Sequence, residues 1–486
     1  MRAILIGASA LALLATSAHA APWLSPDDPQ VRQDVETLQA AGVIHGPVNA
    51  WPLPLATLSD VDAAAQDMSL PPDVHAAAMR INELVELYDQ SHLTDARVSV
   101  TNDPSLIQDF GSLARNNVDA SVAMQQQIGN LFVSVGVGYR RHQAGRDYHF
   151  EPSYAAYKIG NWALYGGYVD EWWGPGNTGA LLVSTSARPI PKIGIKRLAA
   201  HPIDFPVLRW LGPWRIDAFV GDLGKRNDYD HTKVIGLRFD FAPAPGLEIG
   251  VNRALQLCGN NRPCGFKTIS KALVGFGNED NTGTLDEPGN QIAGMDISYT
   301  RRIGGVTAKV YGEAEAEDED GPLLVDQFGW LSGLTLSGPA GDNGASWAAG
   351  VEFASTRAYE IGNGGRYRNG SFYNNFIYTD GYTYKGDPIG YSIDGDSKIA
   401  SFNAAYTDAR NRRFYGSFRR VHYNYTGANM RISANPETIN IATLGVQWPT
   451  SFGDVTLEGR VQDNDVNTPG RSPTKGAVEL GWRSRF

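Results

Sequence analysis

Three groups of carboxylates are dense enough to suggest chemistry. Glu313, Glu315, Glu317, Asp318, Glu319 and Asp320 stand in one short run. Oxygen ligands of this kind suit a divalent cation such as Ca²⁺. The alternation of the first three with Ala314 and Ala316 also fits a strand end whose polar face is solvated. Asp380, Asp387, Asp394 and Asp396 share a stretch with Tyr378, Tyr382, Tyr384 and Tyr391. Asp170 and Glu171 precede Trp172 and Trp173. Paired carboxylates hydrolyse glycosides when held about 5–10 Å apart across the bond, and no feature of the sequence sets such a distance. GxSxG, HExxH and Walker patterns are absent from the sequence, and His142 and His149 lack metal-ligand spacing. No catalytic residue, cofactor or metal is therefore assigned.

Aromatic side chains beside Gly, Asn and Asp are the more prominent signal: Trp172, Trp173, Trp210, Trp214, Tyr229, Tyr367, Phe372, Tyr373, Tyr378, Tyr382 and Tyr384. Flat rings stack on the apolar faces of sugars while Asn, Asp and Arg bind hydroxyls. Some of these rings also fit an aromatic girdle at a membrane interface. The candidate carbohydrate contacts are Trp172, Trp173, Tyr378, Tyr382, Tyr384 and Asp387. In EWWGPGNTGALLVSTSARPIP, residues 171–191, the two tryptophans sit against a Gly-Pro-Gly turn. Following the strand pattern at 162–168, this turn reads first as architecture and second as a sugar contact.

The elements that must position these residues change character along the chain. Residues 1–20 read as a secretory signal peptide, with Arg2, the apolar run Ile4 to Ala15 and Ala18-His19-Ala20 before the cleavage point. Residues 22–92 read as short amphipathic helices. Pro29 starts one behind Asp27 or Asp28, with Val31, Val35 and Leu38 on one face and Gly42 closing it. A second covers Leu58 to Met68, and a third follows Pro71-Pro72 with Ala77, Ile81, Leu84 and Tyr88 in line. Gly46 to Pro54 is an extended linker.

From about Val98 the period is 2. Val133, Val135 and Val137 alternate with Ser134 and Gly136, and Leu237, Phe239 and Phe241 with Arg238 and Asp240. An exported chain with roughly 16 to 19 such strands and unequal loops fits a membrane barrel. Lipid requires every backbone polar group to be paired, which a closed sheet achieves. Charges then belong on the lumen parity. The last strand places Val478, Leu480, Trp482, Ser484 and Phe486 on one face, like the assembly signal of bacterial outer-membrane proteins. Long inserts at 173–212, 256–288, 321–346 and 354–396 read as extracellular loops. A net charge of −10 argues against nucleic acid as a partner. Cys258 and Cys264 are the only cysteines, and in an exported chain they read as a disulfide.

Several separated segments, in order, resemble the capsule assembly protein Wzi family. They are APWLSPDDPQVRQDVETLQAAGVIHGPVNAWPLP, EWWGPGNTGALLVSTSARPIP, RWLGPWRIDAFVGDLGKR, PGLEIGVNRALQLCG, GNQIAGMDISY and DGYTYKGDPIGYSIDGDS. The resemblance implies a mostly β fold: a transmembrane antiparallel barrel of about 18 strands with a small N-terminal periplasmic helical bundle. The division would be 1–20 signal peptide, 21–95 helical bundle and 96–486 barrel, with extracellular loops above the bacterial outer membrane. It also implies a non-catalytic, lectin-like role in binding exported capsular or exopolysaccharide and keeping it at the surface. The other partners would be outer-membrane lipid and, during biogenesis, the barrel assembly machinery. A porin-like diffusion channel for sugars or other solutes is the alternative function.

Overall fold

A computed structural model describes residues 21–112, 115–142, 145–274, 289–317, 327–360, 365–468 and 473–486. The expected signal peptide and Asp318, Glu319 and Asp320 lie outside the described residues.

Alternation with period 2 produces a closed antiparallel barrel of 18 wall strands among the described residues. Closure joins the first strand, His92–Thr101, to the last, Lys475–Arg485, with Leu480 opposite Val100 and Arg485 opposite Asp95. Phe486 completes the seam by exchanging both backbone hydrogen bonds with Thr94. Val122, Val135, Ile193, Val220, Phe402 and Leu444 are exposed on the outside. On the opposite parity Arg238, Asp240, Asp296, Glu313 and Glu352 are buried in the lumen. Burial is tolerable because the charges are paired: Arg238 lies 2.7 Å from Asp296 and 2.6 Å from Asp240.

Arg253, on the lipid parity, departs from the expected pattern. Arg253 faces outward, where helix α4 (Phe266–Val274) lies against the wall, and it donates to the Ala272 and Leu273 carbonyls at 3.0 and 3.1 Å. Unsatisfied carbonyls at a helix C-terminus suit a cation.

Short turns close one end of the barrel, such as Gly304-Gly305 between Gly289–Ile303 and Val306–Glu317. Long loops crown the other. Short turns face the periplasm in bacterial barrels. Two expected long loops prove to contain wall strands. Pro191–Arg197 lies within 173–212, and Gln327–Pro339 within 321–346. The first reads as polar because Lys192 and Lys196 turn inward to Glu171 and Asp217. In the second, Gly329 and Gly333 leave lumen space for the rings of Phe372 and Tyr311, which thins the apolar alternation. The strand Ser346–Glu360 also runs into the fourth expected loop, 354–396.

The helices gather at the periplasmic end. Helix α1 (Pro29–Ala40) is capped by Asp28, whose carboxylate accepts from the Gln30 and Val31 N–H groups at 2.8 and 3.3 Å. Helices α2 (Val61–Gln66) and α3 (Pro72–Tyr88) pack beside it. Val35, Leu38, Val74, Ala78 and Ile81 are fully buried between them. The second helix is shorter than expected because Leu55–Leu58 forms a separate 3-10 turn. The bundle is fastened to the wall through charge: Asp73 to Arg302 at 2.7 Å, Glu36 to Lys309 at 2.7 Å and Asp27 to Arg483 at 2.7 Å.

Candidate functional site

The segment 169–190 does not rise above the rim. It folds down into the lumen and meets the periplasmic bundle. Trp172 and Trp173 pair as a two-residue strand with Trp51 and Ala50. The Arg32 guanidinium donates to the carbonyls of Gly174, Pro175 and Gly176 at 3.3, 2.8 and 2.8 Å. Gly174 needs its freedom here: its φ is +143°, and a Cβ would stand 2.9 Å from a Glu313 carboxylate oxygen.

The wall itself grips this segment. Glu352 accepts from the N–H groups of Asn177 and Thr178 at 2.7 and 3.1 Å, and Glu313 from that of Leu181 at 2.7 Å. A second infolded segment, 371–397, lies against the first. The Ser184 N–H donates to the Ile389 carbonyl at 2.9 Å, and the Tyr373 hydroxyl donates to that of Leu181. Glu317 accepts from the Tyr373 N–H. Glu313, Glu315 and Glu317, expected at a solvated strand end, are thus buried lumen groups.

The six candidate carbohydrate residues separate accordingly. Trp172 and Trp173 are fully buried. Trp172 donates from Nε1 to the Gly176 carbonyl at 3.1 Å, with its ring edge-on to Phe110. Trp173 packs on Phe219. Tyr378 is buried and donates to the Cys258 carbonyl at 2.9 Å, beside the Cys258–Cys264 disulfide. Tyr382 is buried with its ring stacked on Tyr373. Burial pushes the hydroxyls of both tyrosines above the usual phenol range. Tyr384 is buried as well, and only Asp387 differs: it stands opposite Tyr384 across the hairpin Thr383–Pro388, at the exposed tip formed by Lys385, Gly386 and Asp387.

Beside that hairpin the extracellular mouth contains three arginines that the sequence did not single out, one of them paired with the flagged Asp170. Arg188 lies 3.1 Å from Asp147, Arg115 3.4 Å from Asp170, and Arg140 2.5 Å from Glu151 and 3.2 Å from Asp119. A slot of about 100 Å³, lined by Arg115, Asp119, Arg140, Glu151 and Asp170, descends along the wall to Asp27 and Arg483. Arg140 Nη1 and Asp147 Oδ1 are buried without a hydrogen-bond partner among the described residues. Arg188 and Tyr384 are coupled electrostatically, as are Asp387 and Arg115. The arginines come from three separate stretches of chain, so no spacing within the sequence could have grouped them. At the foot of the slot, burial alone would raise the Asp27 carboxyl. Arg483, Arg485 and Arg97 outweigh that effect and hold it down at about 2.

An inward-facing charged lumen and an outward apolar belt define a membrane barrel with a polar extracellular mouth. The capsule assembly protein Wzi family model matches residues 88–477, and the chain belongs to that family. An uncharacterized 55.8 kDa protein in the cps region of Klebsiella pneumoniae is 30% identical over 351 residues, covering 71% of this chain and 68% of that protein. Among solved structures, the Escherichia coli outer-membrane protein Wzi, described as a carbohydrate-binding β-barrel involved in group 1 capsule assembly, superposes with a TM-score of 0.79 at 23% identity. That alignment covers 96% of this chain and all of that one. OprD of Pseudomonas aeruginosa aligns with a TM-score of 0.45 at 9% identity, over 81% of this chain and 94% of that one. The protein is an outer-membrane β-barrel of capsule assembly, with its helical bundle on the periplasmic side.

Proposed function

We propose that the protein binds an exported polysaccharide at its extracellular mouth and holds it at the cell surface, without catalysing a reaction on it. One observation carries this reading. The infolded segments occupy the lumen, yet the mouth presents Asp387 and the Arg188–Asp147 pair beside a slot lined by Arg115, Asp170, Arg140 and Glu151, with Arg140 Nη1 unpartnered among the described residues. Paired carboxylate–guanidinium groups and a spare hydrogen-bonding atom suit a hydroxylated polymer, anionic or neutral. The carbohydrate binding described for the E. coli relative supports the same reading. Outer-membrane lipid would surround the apolar belt, and the C-terminal strand would engage the assembly machinery. A diffusion channel requires an open lumen, which the segments 169–190 and 371–397 occupy.

The test is a glycan-binding screen of the purified barrel against the source organism's own surface polymers, with Arg188→Ala and Asp387→Ala beside the wild type. The expected outcome is saturable binding that both variants weaken. In cells, deletion of the gene should leave polymer synthesis intact and shift polymer from the cell-bound to the shed fraction. Unchanged fractions would refute the attachment role.

A further inference from the structure

A second space lies on the other side of the infolded segments. It is a cavity of about 250 Å³ between helix α1, the segment 105–112 and the wall strands from Gln327–Pro339 round to Lys475–Arg485. Its deep end is closed by Ile107, Phe110, Tyr311 and Glu352, all buried. Its lining at the short-turn end, including Gln33, Gly350, Arg413 and Gln447, is half-exposed. The cavity therefore opens toward the periplasm and is roofed by the same chain segments that floor the extracellular mouth.

Four of its lining atoms lack any hydrogen-bond partner among the described residues: Asp109 Oδ1, Ser417 Oγ, Arg419 Nε and Thr443 Oγ1. Arg419 and Thr443 are more than nine-tenths buried. Buried donors and acceptors are rarely left unpaired without water or a ligand. These four come from three elements and line one cavity, so a single molecule can satisfy all of them. Tyr311 and Tyr415 add ring surface, and their hydroxyls are already committed to Glu352 and Glu458 at 2.9 and 3.0 Å.

We propose that this cavity is a periplasm-facing binding site for a neutral carbohydrate unit of one or two rings. Its size sits just below the roughly 300–1,000 Å³ of pockets for drug-sized ligands. Its charge selects against anions: eight carboxylates line it against four guanidinium groups. Of those four, Arg32, Arg419 and Arg483 are paired to Glu36, Asp109 and Asp27. A uronate or phosphate would meet excess negative charge, whereas hydroxyl groups donate to Asp109 and accept from Arg419. Burial pushes the Asp109 carboxyl up to about 7, against the pull of Arg419, with Glu352 and Glu458 adding to the rise. Near neutrality this group therefore both donates and accepts. The cavity adjoins the foot of the slot at Asp27 and Arg483, but its unpartnered atoms on Asp109, Ser417, Arg419 and Thr443 lie outside the slot, and the proposal does not depend on the reading given to the mouth.

The experiment is calorimetric and fluorescence titration of the purified barrel with glucose, galactose, mannose and maltose, with glucuronate and inorganic phosphate as anionic controls. Saturable binding of at least one neutral sugar and none of the anions is expected. Thr443→Trp fills the cavity and should abolish binding. The double variant Ser417→Ala, Thr443→Val keeps the space open and should weaken binding by about tenfold. Heat-modified gel mobility verifies that each variant is folded, and the double variant decides the matter if Thr443→Trp does not fold. The proposal is overturned if no neutral sugar binds at about 20 mM or if the double variant binds like wild type.

Discussion

Glu352, in the wall, accepts a hydrogen bond at 2.7 Å from the backbone N–H of Asn177, in a segment that enters the barrel from the extracellular side. This arrangement recurs around the lumen. Glu248 accepts from the N–H groups of Val48 and Asn49 at 2.8 Å each, Glu313 from that of Leu181 and Glu317 from that of Tyr373. Glu313 and Glu317, part of the run that could suggest a cation site in the sequence, act instead as acceptors for backbone that has left bulk water. A carboxylate is suited to this because a charge-assisted bond to an amide offsets part of the desolvation of both groups.

Glu352→Ala should therefore loosen the infolded segment rather than the wall. It leaves two buried N–H groups and the Tyr311 hydroxyl unpaired, at about 1–3 kcal/mol each. The expected result in planar bilayers is intermittent conductance in Glu352→Ala against a quiet wild type. Limited proteolysis should cut between residues 174 and 186 first. A large steady current from the wild type would contradict the filled lumen.

The belt predicts a position-dependent cost for charge. Val135 is exposed on the outside of strand Leu131–His142, so Val135→Lys should cost about 2–4 kcal/mol if it lies at mid-depth. Ser134→Lys, on the lumen parity of the same strand, meets a different environment, and its effect should follow packing rather than lipid. Folded yield in outer-membrane preparations, scored by heat-modified mobility, measures both.

Acid and base should act on different contacts. The Asp27 carboxyl is held down at about 2 against an ordinary 3.8. Its stabilisation is thus complete above about pH 4 and is lost as pH falls toward 2. By linkage it amounts to no more than about 2 kcal/mol. Asp109 has the opposite sign. Between its ordinary 3.8 and about 7 the folded protein holds a proton that the unfolded chain has released. Its contribution therefore falls as pH rises through that window. Thermal unfolding at pH 5 and pH 8 should show a smaller difference in Asp109→Asn than in wild type.

Reduction should soften the extracellular crown and leave the barrel intact. Cys258–Cys264 closes a short loop, a constraint worth about 2 kcal/mol in the chain-entropy model. The same loop holds Tyr378 through the Cys258 carbonyl and places Arg262 over the rings of Tyr229 and Tyr378 at 5.5 and 5.7 Å. Cys258→Ser with Cys264→Ser should raise hydrogen exchange around 376–382 and leave exchange in strand Val306–Glu317 unchanged.

The wall was legible in the sequence because lipid imposes a pattern on each strand separately. Val133–Val137 and Leu237–Phe241 reveal their two faces without reference to any neighbour. The bundle was legible for the same reason, through Asp28, Pro29 and the Val35–Leu38 stripe. The interior was not legible. Nothing local marks Glu352 as the partner of Asn177, 175 residues earlier. Trp172, Trp173, Tyr378 and Tyr382 looked like sugar platforms because large rings with polar tips serve buried packing equally well. Arg188 and Arg115 passed unremarked because only folding brings them to the hairpin of Tyr384 and Asp387.

The Arg32 clamp on three consecutive carbonyls joins what enters from outside the cell to what sits in the periplasm. If a polymer anchored at the mouth is dragged by flow, tension passes from the 169–190 segment through that guanidinium into α1, and from Glu36 to Lys309 back into the wall. The load is returned to the barrel within the width of the membrane. A pull on the outside is thereby borne by the stiffest part of the molecule, and the periplasmic bundle serves as the knot behind it.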